Sequence, residues 1–247
     1  RRIGLVFQDH ALFPHRRVDQ NIAFGLTQLG RSARAKRVDE MLELVRLPGV
    51  AKRYPHELSG GEQQRIALAR ALAPDPAVVL LDEPFASLDP SLRDDVRTDV
   101  VEALRLRNAA AVLVTHDREE ALALGDRVAV MSDGRMLQID RPDEVYERPN
   151  DRFVATFLGE ASFLADPLAP GLTMMARPHD LTVTVGGPDR VSSRRYLGAA
   201  WRYTIERPDG SAVDVDVSVA PGATPMSIGD ACTVVVDAGH PLHRLPA

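Results

Sequence analysis

The stretch ELSGGEQQRIALARALAPDPAVVLLDEP (residues 57–84) joins a capped helix to an apolar strand that ends in two acids. Ser59 followed three residues later by Glu62 is a capping box, and Ile66, Leu68, Ala69 and Leu72 give the i, i+3, i+4 spacing of a helix with one buried face. Gly60 and Gly61 weaken a helix start that Ser59 already caps, so they suggest that a ligand or another backbone comes close to these amides. A helix N-terminus with bare N–H groups favours an anion such as phosphate. The run AVVLL (77–81), closed by Asp82, Glu83 and Pro84, reads as a fully buried strand of a parallel sheet.

Downstream, Leu92, Val96, Val100 and Leu104 repeat every four residues as a helix, and AAVLVTHD (110–117) returns as a second apolar strand. Strand, helix, strand is a βαβ unit, whose functional groups collect at the carboxyl ends of the strands. Both strands end in polar chemistry, Asp82-Glu83 on one and Thr115-His116-Asp117 on the other. Upstream, IGLVF (3–7) reads as a strand. Residues 18–72 are helical in pattern, DEMLELVRL (39–47) being the clearest amphipathic piece. A short helix at 118–124 with Gly125 as its C-cap leads to DRVAVMSDGRMLQID (126–140), where Asp133-Gly134 marks a hairpin. Pro142 opens a small helix, PDEVYE, and Pro149 stops it.

From about Ser162 the texture changes to short alternating strands, LTVTV, WRYTIERPDGSAVDVDVSV and ACTVVVD, which predict a separate small β-barrel. The expected organisation is an α/β domain with a helical subdomain over residues 1–160, then a small all-β, OB-like domain over 161–247.

Composition bounds the chemistry. A length of 247 residues with 45% hydrophobic content supports real cores, and a net charge of −5 with pI near 5.8 gives no electrostatic reason to expect nucleic acid as a partner. Apolar runs such as AAAVLV (109–114) fall far short of a membrane span, and no signal peptide is visible, so the expectation is a soluble intracellular protein. Cys232 is the only cysteine, which excludes an internal disulfide and leaves a small buried hydrophobe.

Taken singly, Asp82 and Glu83 read equally well as a strand-end pair at a turn. Their combination with Ser87-Leu88-Asp89, the strand-terminal Thr115-His116, the LSGGEQQ helix and an apolar strand ending in Gln8 resembles the nucleotide-binding subunit of ABC transporters, over residues 2–159. The resemblance implies ATP and Mg²⁺ as cofactors and assigns roles where residues match. Asp82 looks like the carboxylate that holds Mg²⁺, with Gln8 of the Q-loop reaching the metal and the water. Glu83 resembles the catalytic glutamate that orients the attacking water, and His116 the switch histidine that contacts the γ-phosphate. Ser59, Gly60 and Gly61, with Glu62 in place of the more familiar Gln, resemble the signature that binds the ATP held by an opposite subunit, and Asp89 matches the loop that crosses that dimer seam. The implied partners are a second ATPase subunit, transmembrane permease subunits and, indirectly, a solute-binding protein; the implied place is the cytoplasmic face of a bacterial inner membrane.

The family's phosphate-binding loop, GxxxxGK[ST], is absent from these 247 residues: Lys36 and Lys52 are the only lysines and neither sits in a glycine loop. A chain lacking its N-terminal part is the expected explanation and a catalytically silent subunit the alternative. With the loop gone, both strands 77–81 and 110–114 are expected to lose hydrogen-bond partners. VFQDHALFPHRRVDQNIAFGL, RPDEVYERPNDRFVATFLGEASFL and ARPHDL resemble the importer branch that carries a C-terminal TOBE domain, ferric-iron importers first, with spermidine/putrescine and sulfate importers as near relatives. Tyr196, Trp201 and Tyr203 of the tail read as barrel core or a regulatory contact rather than as a stacking platform for bases.

Overall fold

The computed structural model describes residues 3–86, 88–165, 171–219, 224–237 and 242–246, so Ser87 and the side chain of Leu92 lie outside the described residues. The chain divides into two compact units, Arg1–Leu124 and Gly125–Ala247.

In the first unit, β1 (Ile3–Val6), β2 (Val78–Asp82) and β3 (Ala110–Val114) form a parallel sheet in that order, with Ile3 opposite Val78 and Val78 opposite Ala110. Helices α1 (Val18–Ile22), α2 (Arg31–Leu44) and α3 (Gly60–Leu72) lie between β1 and β2 in sequence, and α4 (Pro90–Leu106) makes the crossover to β3, followed by α5 (Arg118–Leu124). Val6, Val79 and Leu81 are sealed into one core with Ile66, Leu68, Leu72, Phe85, Val96 and Val100. Helix α3 was expected to bury one face, yet Ile66 through Ala69 are all fully buried, so the core wraps it almost all round.

Three expectations are corrected here. The strand at β2 was predicted to be buried on both faces, but its burial alternates: Val79 and Leu81 are covered, while Leu80 is 36% exposed beside Leu5 at 41% and Val112 at 52%. Among the described residues, the helices cover one face of the sheet. β2 does not lack hydrogen-bond partners either, since it is paired on both sides; among the described residues the strands with an open edge are β1 and β3. The amphipathic piece at 39–47 also stops early, at Leu44. Arg46 adopts φ 55 and the Leu47 amide donates back to the Leu42 carbonyl at 2.9 Å, a helix end made without the usual glycine and so invisible to pattern reading.

In the second unit, β4 (Val128–Ser132) and β5 (Arg135–Asp140) form the expected hairpin, with Asp133 at φ 49 and Gly134 at φ 73, as a type I′ turn requires. Helix α6 (Pro142–Glu147) follows, then α7 (Arg152–Leu158), capped by Asp151, whose carboxylate accepts from the Val154 amide at 2.8 Å. The all-β part consists of a three-stranded sheet of β6 (Ser162–Ala165), β7 (Leu172–Ala176) and β12 (His243–Pro246), and a four-stranded sheet of β8 (Leu181–Tyr196), β9 (Ala200–Glu206), β10 (Ala212–Ser218) and β11 (Ala231–Val236). The Asp214 amide of β10 donates to Ser162 Oγ of β6 at 3.1 Å, which ties the two sheets together.

Strand β8 is longer than the expected LTVTV because Gly186 and Gly187 make a bulge within it. Its register against β11 jumps from Val185–Cys232 to Arg190–Ala231. Gly187 has φ 131, and a Cβ there would collide with Thr233 Oγ1 and the Cys232 carbonyl. Tyr203 and Cys232 are buried in the core of this sheet, and burial pushes the Cys232 thiol pKa up; Tyr196 is exposed, 5.0 Å centroid to centroid from Trp201.

The division by packing falls earlier than the motif boundary expected at 160/161, and Arg177 supplies the physical reason. Its guanidinium is 2% exposed. It donates to the carbonyls of Tyr146 (2.8 Å), Ala155 (2.8 Å) and Glu160 (3.2 Å) and lies 4.1 Å from the Tyr146 ring centroid, so α6 and α7 are bound to the strand system. Burial lowers the Arg177 pKa, but a guanidinium keeps its proton. Arg177→Met should therefore destabilise this unit by about 3 kcal/mol, because three carbonyls lose a charged donor at once. Denaturant unfolding of the variant checks this; a loss below about 1 kcal/mol would contradict it.

Candidate functional site at the carboxyl edge of the sheet

The three parallel strands point their carboxyl ends the same way, so β1 delivers Gln8, β2 delivers Asp82 and Glu83, and β3 delivers Thr115 and His116 to one edge. Within this set the structure brings Glu83 and His116 into direct contact, Glu83 Oε2 lying 3.1 Å from His116 Nδ1. An ionised carboxylate only accepts hydrogen bonds, so the contact requires the proton on Nδ1. His116 is 72% exposed at its side chain and Glu83 29%, which leaves the imidazole open to a ligand.

Glu83 has φ 42, a left-handed conformation unusual for a side chain of this size. Its amide donates to the Val114 carbonyl at 2.9 Å, extending the β2–β3 pairing one residue past the strand and fixing the turn. Backbone strain of this kind persists where the surroundings over-determine it, and here it aims the carboxylate across at His116. Asp82 is exposed at the strand end. Among the described residues no cluster of three or more His, Cys, Asp or Glu could cage a metal ion. A lone exposed carboxylate suits Mg²⁺ shared with phosphate oxygens and water, because that ion keeps several waters and takes only one or two carboxylates.

The capping box at the start of α3 is present: Ser59 Oγ accepts from the Glu62 amide at 3.3 Å and Glu62 Oε2 accepts from the Ser59 amide at 2.8 Å. The two glycines separate physically. A Cβ on Gly61 would come within 3.1 Å of Val96 Cγ2, so Gly61 lets α3 approach α4. A Cβ on Gly60 would meet only Leu88 Cδ2 at 3.8 Å, so packing does not demand that glycine. The expected anion at this helix start therefore rests on Gly60 and the exposed Ser59. Asp89 is committed to structure: its carboxylate caps α4, accepting from Ser91 Oγ at 2.6 Å and Ser91 N at 2.9 Å, and these bonds lower its pKa.

Sequence reading missed the residues that hold these groups in place. Past Gln8, His10 and Ala11 take φ 63 and 44, and Arg70 of α3 grips their carbonyls at 3.0 and 2.6 Å. The buried Asn21 side chain donates to the carbonyls of Phe13, Arg16 and Arg17 and accepts from the Phe13 amide. Phe13 and Phe24 pack 4.6 Å apart with Arg16 over both rings, forming a partly exposed aromatic knob. On the other side of the site, Arg97 and Glu120 form an ion pair at 2.7 Å with Glu120 3% exposed. A lone Arg or Asn in a helical pattern has no distinguishing spacing, so only the fold shows what these side chains grip.

Comparison with known proteins shows which families the two parts of the chain resemble. Residues 1–86 match the ABC transporter family and residues 174–242 the TOBE domain. The chain is 53% identical over 173 residues to a spermidine/putrescine import ATP-binding protein of Pseudomonas fluorescens, covering 69% of this chain and 48% of the relative. It is 39% identical over 245 residues to a sulfate/thiosulfate import ATP-binding protein of Caulobacter vibrioides, covering 89% and 72%. A ferric-ion import ATP-binding protein of Pectobacterium atrosepticum is 53% identical over 165 residues, covering 66% and 47%. The chain thus spans about half the length of two of these relatives. Among solved structures, a Clostridium perfringens subunit, CbiO1, of an ABC transporter complex superposes with a TM-score of 0.55 at 34% identity, over 58% of this chain and 59% of that one.

Proposed function

Because this chain belongs to the ABC importer ATP-binding subunits that carry a TOBE domain, we propose that it is the ATP-hydrolysing subunit of a solute importer, acting as a homodimer beneath a membrane permease. The observation that carries this reading is the Glu83–His116 contact at the carboxyl edge of a parallel sheet, next to Asp82. Glu83 polarises the attacking water, and His116 holds Glu83 and meets the terminal phosphate. Asp82 and Gln8 would hold Mg²⁺, which would supply charge neutralisation at the phosphate oxygens. Catalysis of phosphoryl transfer is mostly positioning and charge stabilisation, so a fixed carboxylate and an imidazole are the right parts. Ser59, Gly60 and Gly61 serve the nucleotide of the opposite subunit. No helix among the described residues is long and apolar enough to cross a membrane; the proposed place is the cytoplasmic face of the inner membrane, bound to the permease.

The permease is expected to dock on the segment gripped by Arg70 and Asn21, with Phe13 and Phe24 at its surface, and on the helical segment up to Tyr54. Hydrogen exchange with and without the permease tests this. Protection of residues 11–15 and of the following helices is the expected result, and protection confined to the all-β part refutes it.

Ferric iron is the proposed solute and polyamines the runner-up; the equal 53% identities to a polyamine and a ferric-ion relative leave the decision to uptake assays. Deleting the gene should impair ferric-iron uptake, whereas intact iron uptake with lost polyamine uptake selects the runner-up. The alternative reading, a catalytically silent subunit, is decided by the coding DNA upstream of Arg1.

A further inference from the structure

The turn that carries His116 is held from both flanks by charged side chains, of which Glu120 is buried. Thr115 Oγ1 donates to Glu120 Oε2 at 2.6 Å and accepts from the Asp117 amide at 3.0 Å. Asp117 Oδ1 accepts from the amides of Glu119 and Glu120, so the same residue starts α5. Arg97, from the middle of α4, donates to Glu120 Oε1 at 2.7 Å and to Asp117 Oδ2 at 3.2 Å; Arg93 NH1 stands 3.7 Å from Asp117 Oδ2. The Arg97 guanidinium also lies 5.9 Å from the ring centroid of Phe85, two residues past Glu83. Of the three residues Thr115, His116 and Asp117, the flanking pair is tied inward and His116 alone is turned out, against Glu83.

The geometry points to Glu120 and Arg97 as positioning residues for the hydrolytic pair: together they clamp both sides of the His116 turn and brace the Glu83 segment through Phe85. Burying a carboxylate and a guanidinium costs desolvation, which a packed apolar pair avoids, so retention of this pair at 4% and 13% side-chain exposure fits a role in geometry. The pair also links His116 to α4, the helix that Asp89 caps. A shift at the seam between subunits would then reach His116 through Arg97.

This inference rests on the reading of Glu83 and His116 as the hydrolytic pair, and the test separates the two. Steady-state hydrolysis and ATP binding are measured on the complete gene product for wild type, Glu83→Gln, Glu120→Gln, Thr115→Val and Thr115→Ser. Glu120→Gln and Thr115→Val should lower kcat between about tenfold and a hundredfold, while KM for ATP stays within about twofold; Thr115→Ser, which keeps the hydroxyl, should restore kcat. Thr115→Val preserves shape and so keeps the test valid where Glu120→Gln fails to fold. If Glu83→Gln abolishes turnover while Glu120→Gln and Thr115→Val both hold kcat within about twofold, the clamp is wrong and the site reading stands. If Glu83→Gln leaves turnover intact, the site reading fails and the clamp falls with it.

Discussion

Replacing Glu83 by Gln lowers ATP turnover of the complete gene product by about a hundredfold or more and leaves ATP binding unchanged. The size follows from the role: a positioned base contributes roughly two to four orders of magnitude, and glutamine keeps the shape and the hydrogen bond to His116 but removes the charge that polarises water. The backbone at Glu83 should tolerate the change, because its φ of 42 is held by the hydrogen bond that its N–H donates to the Val114 carbonyl and not by the side chain. Binding should also be spared, since phosphate affinity comes from groups that contact the phosphates and the metal. The measurement is steady-state hydrolysis beside equilibrium binding of a nucleotide analogue. Turnover within about tenfold of wild type, roughly 1.4 kcal/mol in barrier, would remove Glu83 from the catalytic role.

The parts of the fold legible in the sequence are those that local pattern controls. The βαβ unit, the hairpin at Asp133-Gly134 and the capped start at Ser59 each carry a period or a turn residue with its own physics. So do the polar ends of β2 and β3, whose contact between Glu83 and His116 follows once the strands lie parallel and adjacent. What escaped reading depends on partners distant in sequence. Arg70 meets the carbonyls of His10 and Ala11 some sixty residues away, and Arg97 meets Glu120 across the crossover. Arg177 is buried against three carbonyls although nothing in ARPHDL distinguishes it from a surface arginine. The glycine pairs show the same limit in reverse. Gly60-Gly61 raised the expectation of a ligand or another backbone close by, and packing of α3 against Val96 accounts for Gly61 by itself; Gly186-Gly187 form a bulge inside β8, which a strand limited to LTVTV does not foresee.

A polypeptide of residues 1–247 by itself binds ATP weakly, hydrolyses it negligibly and unfolds in parts. The chemical half of this expectation comes from what cradles phosphate. Neither lysine can do so: Lys36 lies within α2 between Ala35 and Arg37, and Lys52 pairs with Asp19 at 3.1 Å. The amides at the start of α3 and one Mg²⁺ ligand do not replace a glycine loop that wraps the β- and γ-phosphates. The stability half comes from the sheet. β2 is safe between two partners, but β3 presents an open edge among the described residues, and Ile3, Leu5, Leu80, Val112 and Val114 line a face that no described helix covers. Parallel sheets are stable when both faces are covered, and an apolar edge strand is a template for self-association. The first unit should therefore aggregate or melt broadly. The second should melt cooperatively, from Gly125 onward rather than from Ser162, because Arg177 ties α6 and α7 into its core. Thermal unfolding by circular dichroism, light scattering and an ATPase assay on this polypeptide make the comparison. A single cooperative transition of the whole chain, together with hydrolysis that Glu83→Gln abolishes, would show that the bare face and the absent loop matter far less than the physics of parallel sheets and phosphate binding requires.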